Sequence, residues 1–351
     1  MKNIIIFFSG GRGSFAAADY AKTHYPESNI VLYFTDTLWE DKDLYRFIHE
    51  ASDKLQLPLL THTHGLNVME MMFESKLVFN SIIGECSKKL KMEVAANFLK
   101  KGKKPLLESW RNKRYLKNED FITDATLYFG IGFEELHREK SIVENWKPFK
   151  VEMPAIYNIL NYDDIMKKYN IRQPDLYDLG FTHNNCAGRC VKGGQNHFKN
   201  LRKTRPEVFY KLLEQEHYLS ICVSSYRYIT NKKVPAEEQI PEDVQEIMLK
   251  ELDDAFRDYF YGRVEKPKLY IHPCASATSE YMNFKKYSFM KKRLTQPIKE
   301  IRLSEEGNEY THIKYLSQPY SLRMLNNDVK NAPEQIDMFD FGGCGCFVNF
   351  E

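Results

Sequence analysis

Residues 4–15 read IIIFFSGGRGSF, an apolar run rich in β-branched side chains followed by three glycines and two serines. The run has the composition of a buried strand, and FAAADYAKTHY behind it reads as a helix. Between them the backbone must turn sharply, and glycine is the residue that permits it. A strand, a glycine turn and a helix N-terminus leave backbone amides pointing outward, which is an arrangement that binds anions. The loop lacks the GK[ST] ending of a Walker loop and is not GxGxxG. Ser9 and Ser14 are candidate donors to phosphate oxygens beside the amides of Gly10, Gly11 and Gly13, and Arg12 adds positive charge.

Working outward, IVLYF at 30–34 is a second strand, and the helical segment between the two makes a βαβ unit. EDKDLYRFIHEASDKL places Leu44, Phe47, Ile48, Ala51 and Leu55 at helical spacing, and LPLLTHT follows as a third strand. TLYFGIG reads as a later strand ending at glycine, and WKPFKVEMPAI as another extended piece. The expectation is an α/β fold with a doubly wound, mainly parallel sheet. From about residue 201 the character is largely helical: PEVFYKLLEQEHYL and PEDVQEIMLKELDDAFRDYFYGR each begin with proline at a helix start. A boundary near 200 gives two domains, 1–200 and 201–351, the second ending in the cysteine-containing tail GGCGCFVNFE.

The bulk numbers exclude little but agree. At 351 residues, 43% hydrophobic, 28% charged and a formal charge of +2, the composition is that of an ordinary globular protein. The start, MKNIIIFF, has too short an apolar run for a signal peptide or a span, so the expectation is a cytoplasmic protein with no membrane partner. Seven cysteines, an odd number, are then expected as thiols, ligands or catalytic groups. Cations cluster between Lys88 and Lys117 and again between Lys285 and Arg302, either as a solvated lysine face or as a surface for nucleic acid or polyphosphate.

Three stretches carry cysteine chemistry. ECSKKLKMEV puts Cys86 ahead of Lys88, Lys89 and Lys91, which favours thiolate. LYDLGFTHNNCAGRCVKGG holds Cys186 and Cys190 in a CxxxC spacing with His183 nearby, soft donors for iron or zinc or else a reduced thiol pair. Cys344 and Cys346, on a glycine-rich tail, can act as nucleophiles, ligands or a strained disulfide.

Taken in order, SGGRGS, YFTDT, CSKKLK, FGIGFEELHR, NYDDIMKKY and PDLYDLGFTHNNCAGRC resemble the landmarks of the phosphoadenosine phosphosulfate reductase-like family, in the adenine nucleotide α-hydrolase group of PP-loop (HUP-like) proteins. The resemblance covers residues 1 to about 195. It implies binding of ATP or a related adenosine phosphate, with Mg2+, and places Asp36 and Thr37 around the nucleoside. By the same resemblance Cys86, Cys186 and Cys190 are ligands of a [4Fe-4S] cluster, or alternatively of Zn2+, and Cys344 or Cys346 is the loose equivalent of a reductase tail cysteine. Two positions depart from the pattern. Gly13 stands where the loop normally has Asp, and Gly132 replaces the arginine of GIR.

The resulting expectation is an ATP pyrophosphatase or adenylating transferase that cleaves the α–β phosphate bond and adenylates an acceptor. A nucleic acid is one such acceptor, with sulfur delivered afterwards by a donor protein. In that reading Lys91 offsets phosphate charge. The alternatives are a thiol-dependent reductase of an adenylyl-sulfate-like substrate working through Cys344 and Cys346, and a non-catalytic adenine nucleotide sensor.

Overall fold

The computed structural model describes residues 1–77, 84–230, 232, 239–264, 298–303, 309–314, 322 and 325–326. By their contacts these fall into two compact units, one built from residues 1–71 and 84–200 and the other from 72–77 and the described residues beyond 200.

The first unit is organised on a six-stranded sheet. β1 (Asn3–Phe7) pairs in parallel with β2 (Asn29–Asp36) on one side and β5 (Thr126–Phe129) on the other. Outside them lie β3 (Leu59–Thr63) and β6 (Lys150–Glu152), also parallel, and β4 (Leu107–Arg111) closes the β3 edge antiparallel. The spatial order is β4-β3-β2-β1-β5-β6. Connections leave β1 in both directions, so the sheet is doubly wound with β1 at its centre.

Alternation along β1 shows how both faces are filled. Ile4, Ile6 and Phe8 enter a core with Phe15 of α1 (Arg12–His24) and with Leu44, Phe47 and Ile48 of α2 (Lys42–Leu55). Ile5 and Phe7 enter the opposite core with Ala95, Phe98 and Leu99 of α4 (Glu93–Lys101) and with Ile142 and Trp146 at α5 (Glu139–Asn145). Every residue of β1 and β2 is buried, the pattern of central strands covered on both faces. The fold expectation therefore holds, and β4 is an addition to it. LESWR lies inside the lysine-rich stretch and all its residues except Trp110 are exposed.

The second unit contains α10 (Pro206–Ile229) and α11 (Glu242–Phe260), both beginning at the prolines that marked them, the second with Pro241 as its cap. The segment after α3 (Val68–Glu74) belongs with them: Phe73 stacks on Phe256 at 4.0 Å, and the Lys76 carbonyl accepts from Arg227 at 3.0 Å. A hairpin of β7 (Ile298–Leu303) and β8 (Glu309–Lys314) accompanies the helices. Cys222 is buried on α10, and burial pushes its thiol up to about 12. Among the described residues no helix is long and apolar enough to cross a membrane.

Candidate functional site

The carboxyl ends of the parallel strands converge where β1 and β5 are neighbours, the place where such sheets bind ligands. The SGGRGS loop sits there. Gly10 has φ +79° and lies against Leu44 and Ile48, so a side chain is barred both by conformation and by space. Gly11 caps α1, and the first bond inside that helix is from the Phe15 amide to the Gly11 carbonyl at 3.2 Å. The amides of the first turn, residues 12–14, therefore have no acceptor within the helix. Ser14 donates from Oγ to the Gly11 carbonyl at 2.9 Å, and Ser9 Oγ lies 3.5 Å from Ser14 Oγ.

Gly13 is explained by its neighbour across the sheet. A Cβ built on Gly13 would overlap the carbonyl of Gly130, and one built on Gly130 would overlap the backbone of Gly13 and Ser14. Two backbones thus touch directly, β5's exit loop against α1's first turn, and neither residue has room for a side chain. The absent aspartate is the cost of that contact.

The segment 175–190 folds back over the loop. Tyr177, on α8 (Asp175–Asp178), accepts from the Arg12 amide at 3.2 Å. The Arg12 guanidinium turns away from the loop and lies 4.1 Å over the Tyr177 ring, with Gln173 Oε1 3.5 Å from its terminal nitrogen. Asn184 is buried and donates from Nδ2 to the Gly10 carbonyl at 2.9 Å.

At the end of β2, Asp36 Oδ1 accepts from the Leu38 amide at 2.8 Å and from the Tyr45 hydroxyl at 2.9 Å. Burial pushes its carboxyl above the usual value, against those two hydrogen bonds. Thr37 Oγ1 donates to Glu40 Oε1 at 3.0 Å. Glu40 is the hub of a second cluster. Its side chain is fully buried, its Oε1 is 3.6 Å from the buried Lys91 ammonium, and its Oε2 accepts the Cys186 amide.

Cys86, Cys186 and Cys190 are all buried around this ion pair. Burial works against the Lys91 charge, but Glu40 and then the thiols Cys186, Cys86 and Cys190 outweigh it and hold its pKa above that of an ordinary lysine. Burial pushes Cys86 up to about 11, with Cys190 adding to the effect. Cys186 and Cys190 share a hydrogen bond that holds Cys190 below the usual thiol value and Cys186 above it. The backbone here is left-handed at Cys186 (φ +57°), Ala187 (φ +54°) and Gly188 (φ +75°) in succession, a costly conformation for the first two. Lys91 itself lies in a stretch of π-helix, Ser87–Met92, that runs directly into α4.

The structure thus brings Cys86, Cys186, Cys190 and Lys91 together, and Ser9, Gly10, Gly11, Arg12, Gly13 and Ser14 together at the loop. In donor type the three thiols suit a soft metal or an iron–sulfur cluster. Among the described residues, however, no group of three His, Cys, Asp or Glu side chains is placed to hold a metal ion, so ligation requires the strained Cys186–Cys190 loop to move. Cys344 and Cys346 lie outside the described residues. So does most of the second basic stretch. The first is dispersed: Lys91 points inward, Arg111 pairs with Asp53 at 2.6 Å, and Lys113 with Glu119 at 3.0 Å. Sequence reasoning missed Glu40, Tyr177 and Asn184 as site residues, although the last two stand inside the LYDLGFTHNNC stretch it had singled out.

Comparison with known proteins bears on the same region. Residues 3–109 match the family model for the phosphoadenosine phosphosulfate reductase domain. The match spans the glycine loop, the end of β2, Cys86 and Lys91. No curated protein and no solved structure matches the chain.

Proposed function

With a phosphoadenosine phosphosulfate reductase-like domain at residues 3–109 and hence a place among adenine nucleotide-binding PP-loop proteins, we propose that the chain binds ATP and cleaves it between the α- and β-phosphates to adenylate an acceptor. The observation that carries the reading is the loop itself. Gly10 in the left-handed region and the Gly13–Gly130 backbone contact hold α1's first-turn amides at the strand ends. Amides fixed in that way stabilise phosphate charge as it develops in the transition state without reorganising.

In the reaction an acceptor oxygen attacks the α-phosphorus, the bond to the bridging oxygen of the β-phosphate breaks, and pyrophosphate leaves. The acceptor then carries AMP, and a second nucleophile can displace that AMP. Ser9 and Ser14 bind phosphate oxygens beside the amides, and Asp36 and Thr37 border the nucleoside. A base in nucleic acid is the proposed acceptor, a sulfur-donor protein the proposed supplier of the second nucleophile, and Mg2+ the counter-ion.

Cys86, Cys186 and Cys190 are the residues that would hold an iron–sulfur cluster or Zn2+, which would supply electrons or fix the sulfur site. Lys91 and Glu40 form the buried charge pair at its base. The adenylating reading is preferred over reduction of an adenylyl sulfate because of Gly132. A side chain there would meet the Glu134 carboxylate, so the place of the family's anion-binding arginine is bordered by negative charge. The test is to incubate the full-length protein with ATP, with and without single-stranded nucleic acid, and to measure AMP and pyrophosphate. Formation of both in equal amounts is expected; if neither forms with any acceptor, the proposal is wrong.

A further inference from the structure

The segment that folds over the glycine loop leaves two hydrogen-bonding valences unused beside it. The Tyr177 hydroxyl accepts the Arg12 amide at 3.2 Å, and a Cβ on Gly11 would lie 2.9 Å from it, so the oxygen stands directly over the start of α1. A phenol both accepts and donates. Among the described residues nothing accepts the Tyr177 proton. The ring is clamped by the Arg12 guanidinium, which also donates toward the hydroxyl oxygen.

An independent observation comes from Asn184. Its Nδ2 is committed to the Gly10 carbonyl, so the amide orientation is settled, and its Oδ1 is buried with no partner. Buried polar atoms are almost always satisfied, and an orphan on a binding loop marks a missing ligand or ligand-bound water. One free donor and one free acceptor, carried by the same segment, therefore border the same loop.

We propose that Tyr177 is a phosphate-binding residue of the nucleotide site, donating its hydroxyl proton to a phosphate oxygen while it continues to accept the Arg12 amide. Asn184 Oδ1 then accepts from a water or hydroxyl of the same ligand. The arrangement extends a backbone anion site with a neutral side-chain donor and compensates for a loop that has no room for a carboxylate at Gly13. It rests on the reading that this loop binds an adenosine phosphate.

The experiment is equilibrium binding of ATP and of adenosine, by competition against a fluorescent ATP analogue, to the wild-type chain and to Tyr177→Phe. Loss of a hydrogen bond to a charged oxygen is expected to weaken ATP about tenfold and to leave adenosine unchanged. Gly11→Ala, whose methyl would displace the hydroxyl, is expected to show the same phosphate-dependent loss and keeps the test open should Tyr177→Phe fold poorly. Unchanged or tighter ATP binding by Tyr177→Phe would mean that the hydroxyl is only a displaceable cover on the Arg12 amide, and would overturn the proposal. Equal losses of ATP and adenosine would make Tyr177 structural and overturn it too. A wild-type chain that binds no ATP would instead sink the nucleotide reading itself.

Discussion

Gly13→Asp restores to the loop the carboxylate that the resembling family carries, and the structure predicts damage where the family pattern would predict a gain. The Cβ of any residue at 13 falls about an ångström or more inside contact distance of the Gly130 carbonyl. The obstacle is backbone, so no rotamer relieves it. Either β5's exit or α1's first turn has to shift, and overpacking of this kind costs roughly 1–3 kcal/mol. For a domain of this size that lowers the melting temperature by roughly 2–12 °C. Because the displaced atoms include the amides proposed to hold phosphate, ATP affinity should fall in the same variant. Thermal melts with and without ATP measure both effects, and Gly130→Ala should reproduce them from the other side of the contact. Gly102→Ala is the control: Gly102 has φ +63° but nothing within 4 Å, so it bears conformational strain alone, about 1 kcal/mol. If Gly13→Asp melts within about 1 °C of wild type and binds ATP more tightly, the backbone-contact argument is refuted.

Two further outcomes are expected. His62 is buried in β3, bonded through Nδ1 to Tyr33 at 3.1 Å and through Nε2 to Glu108 at 3.0 Å, and burial, only partly offset by Glu108, holds its pKa below 6.5. The unfolded chain then binds the proton first, so stability should decline as pH falls below 6.5, by up to about 1.4 kcal/mol per pH unit from this group. His62→Gln should flatten that slope in denaturant titrations at pH 7 and pH 5, and parallel slopes would rule the assignment out. Anaerobically purified protein, analysed for iron, acid-labile sulfide and zinc, should carry a metal that Cys190→Ser removes. Metal-free wild type would leave the three cysteines as thiols and strike the cofactor from the proposal.

The central sheet was legible because its strands are continuous apolar runs, each followed by a helix whose apolar spacing is unmistakable. β4 was not. LESWR is exposed at four of its five positions, so it carries no burial pattern, and it is a strand only because β3 offers an open edge for its backbone. The site divides the same way. Glycines and cysteines announce themselves by type, and the segments holding Cys86, Cys186 and Cys190 could be marked without knowing that the chain brings them together. Glu40 stands three residues beyond the quoted TDT, yet nothing local distinguishes it from a surface glutamate. Its meaning comes from Lys91, Thr37 and the Cys186 amide, partners up to 146 positions away. Departures from a family pattern were legible as departures only. Gly13 read as a loss until Gly130 was seen against it.

That pairing bears on how the loop works. A carboxylate at position 13 would have to project from the face where α1 meets β5, whereas Tyr177 and Asn184 reach the loop from the side left open by the glycines. Removing the side chain brings the strand exit and the helix start into direct contact, which fixes the amides more rigidly than a hinge of side chains would. It also takes away a negative charge from the place where phosphate charge must accumulate, at about 4 kcal/mol per like-charge pair at 4 Å in a partly buried site. A neutral phenol proton and a carboxamide oxygen can position a phosphate and its water without restoring that repulsion. The chemistry that follows is one in which the loop holds charge and leaves activation of the attacking group to the acceptor or to the sulfur side of the site, where Lys91, Glu40 and three thiols are already assembled.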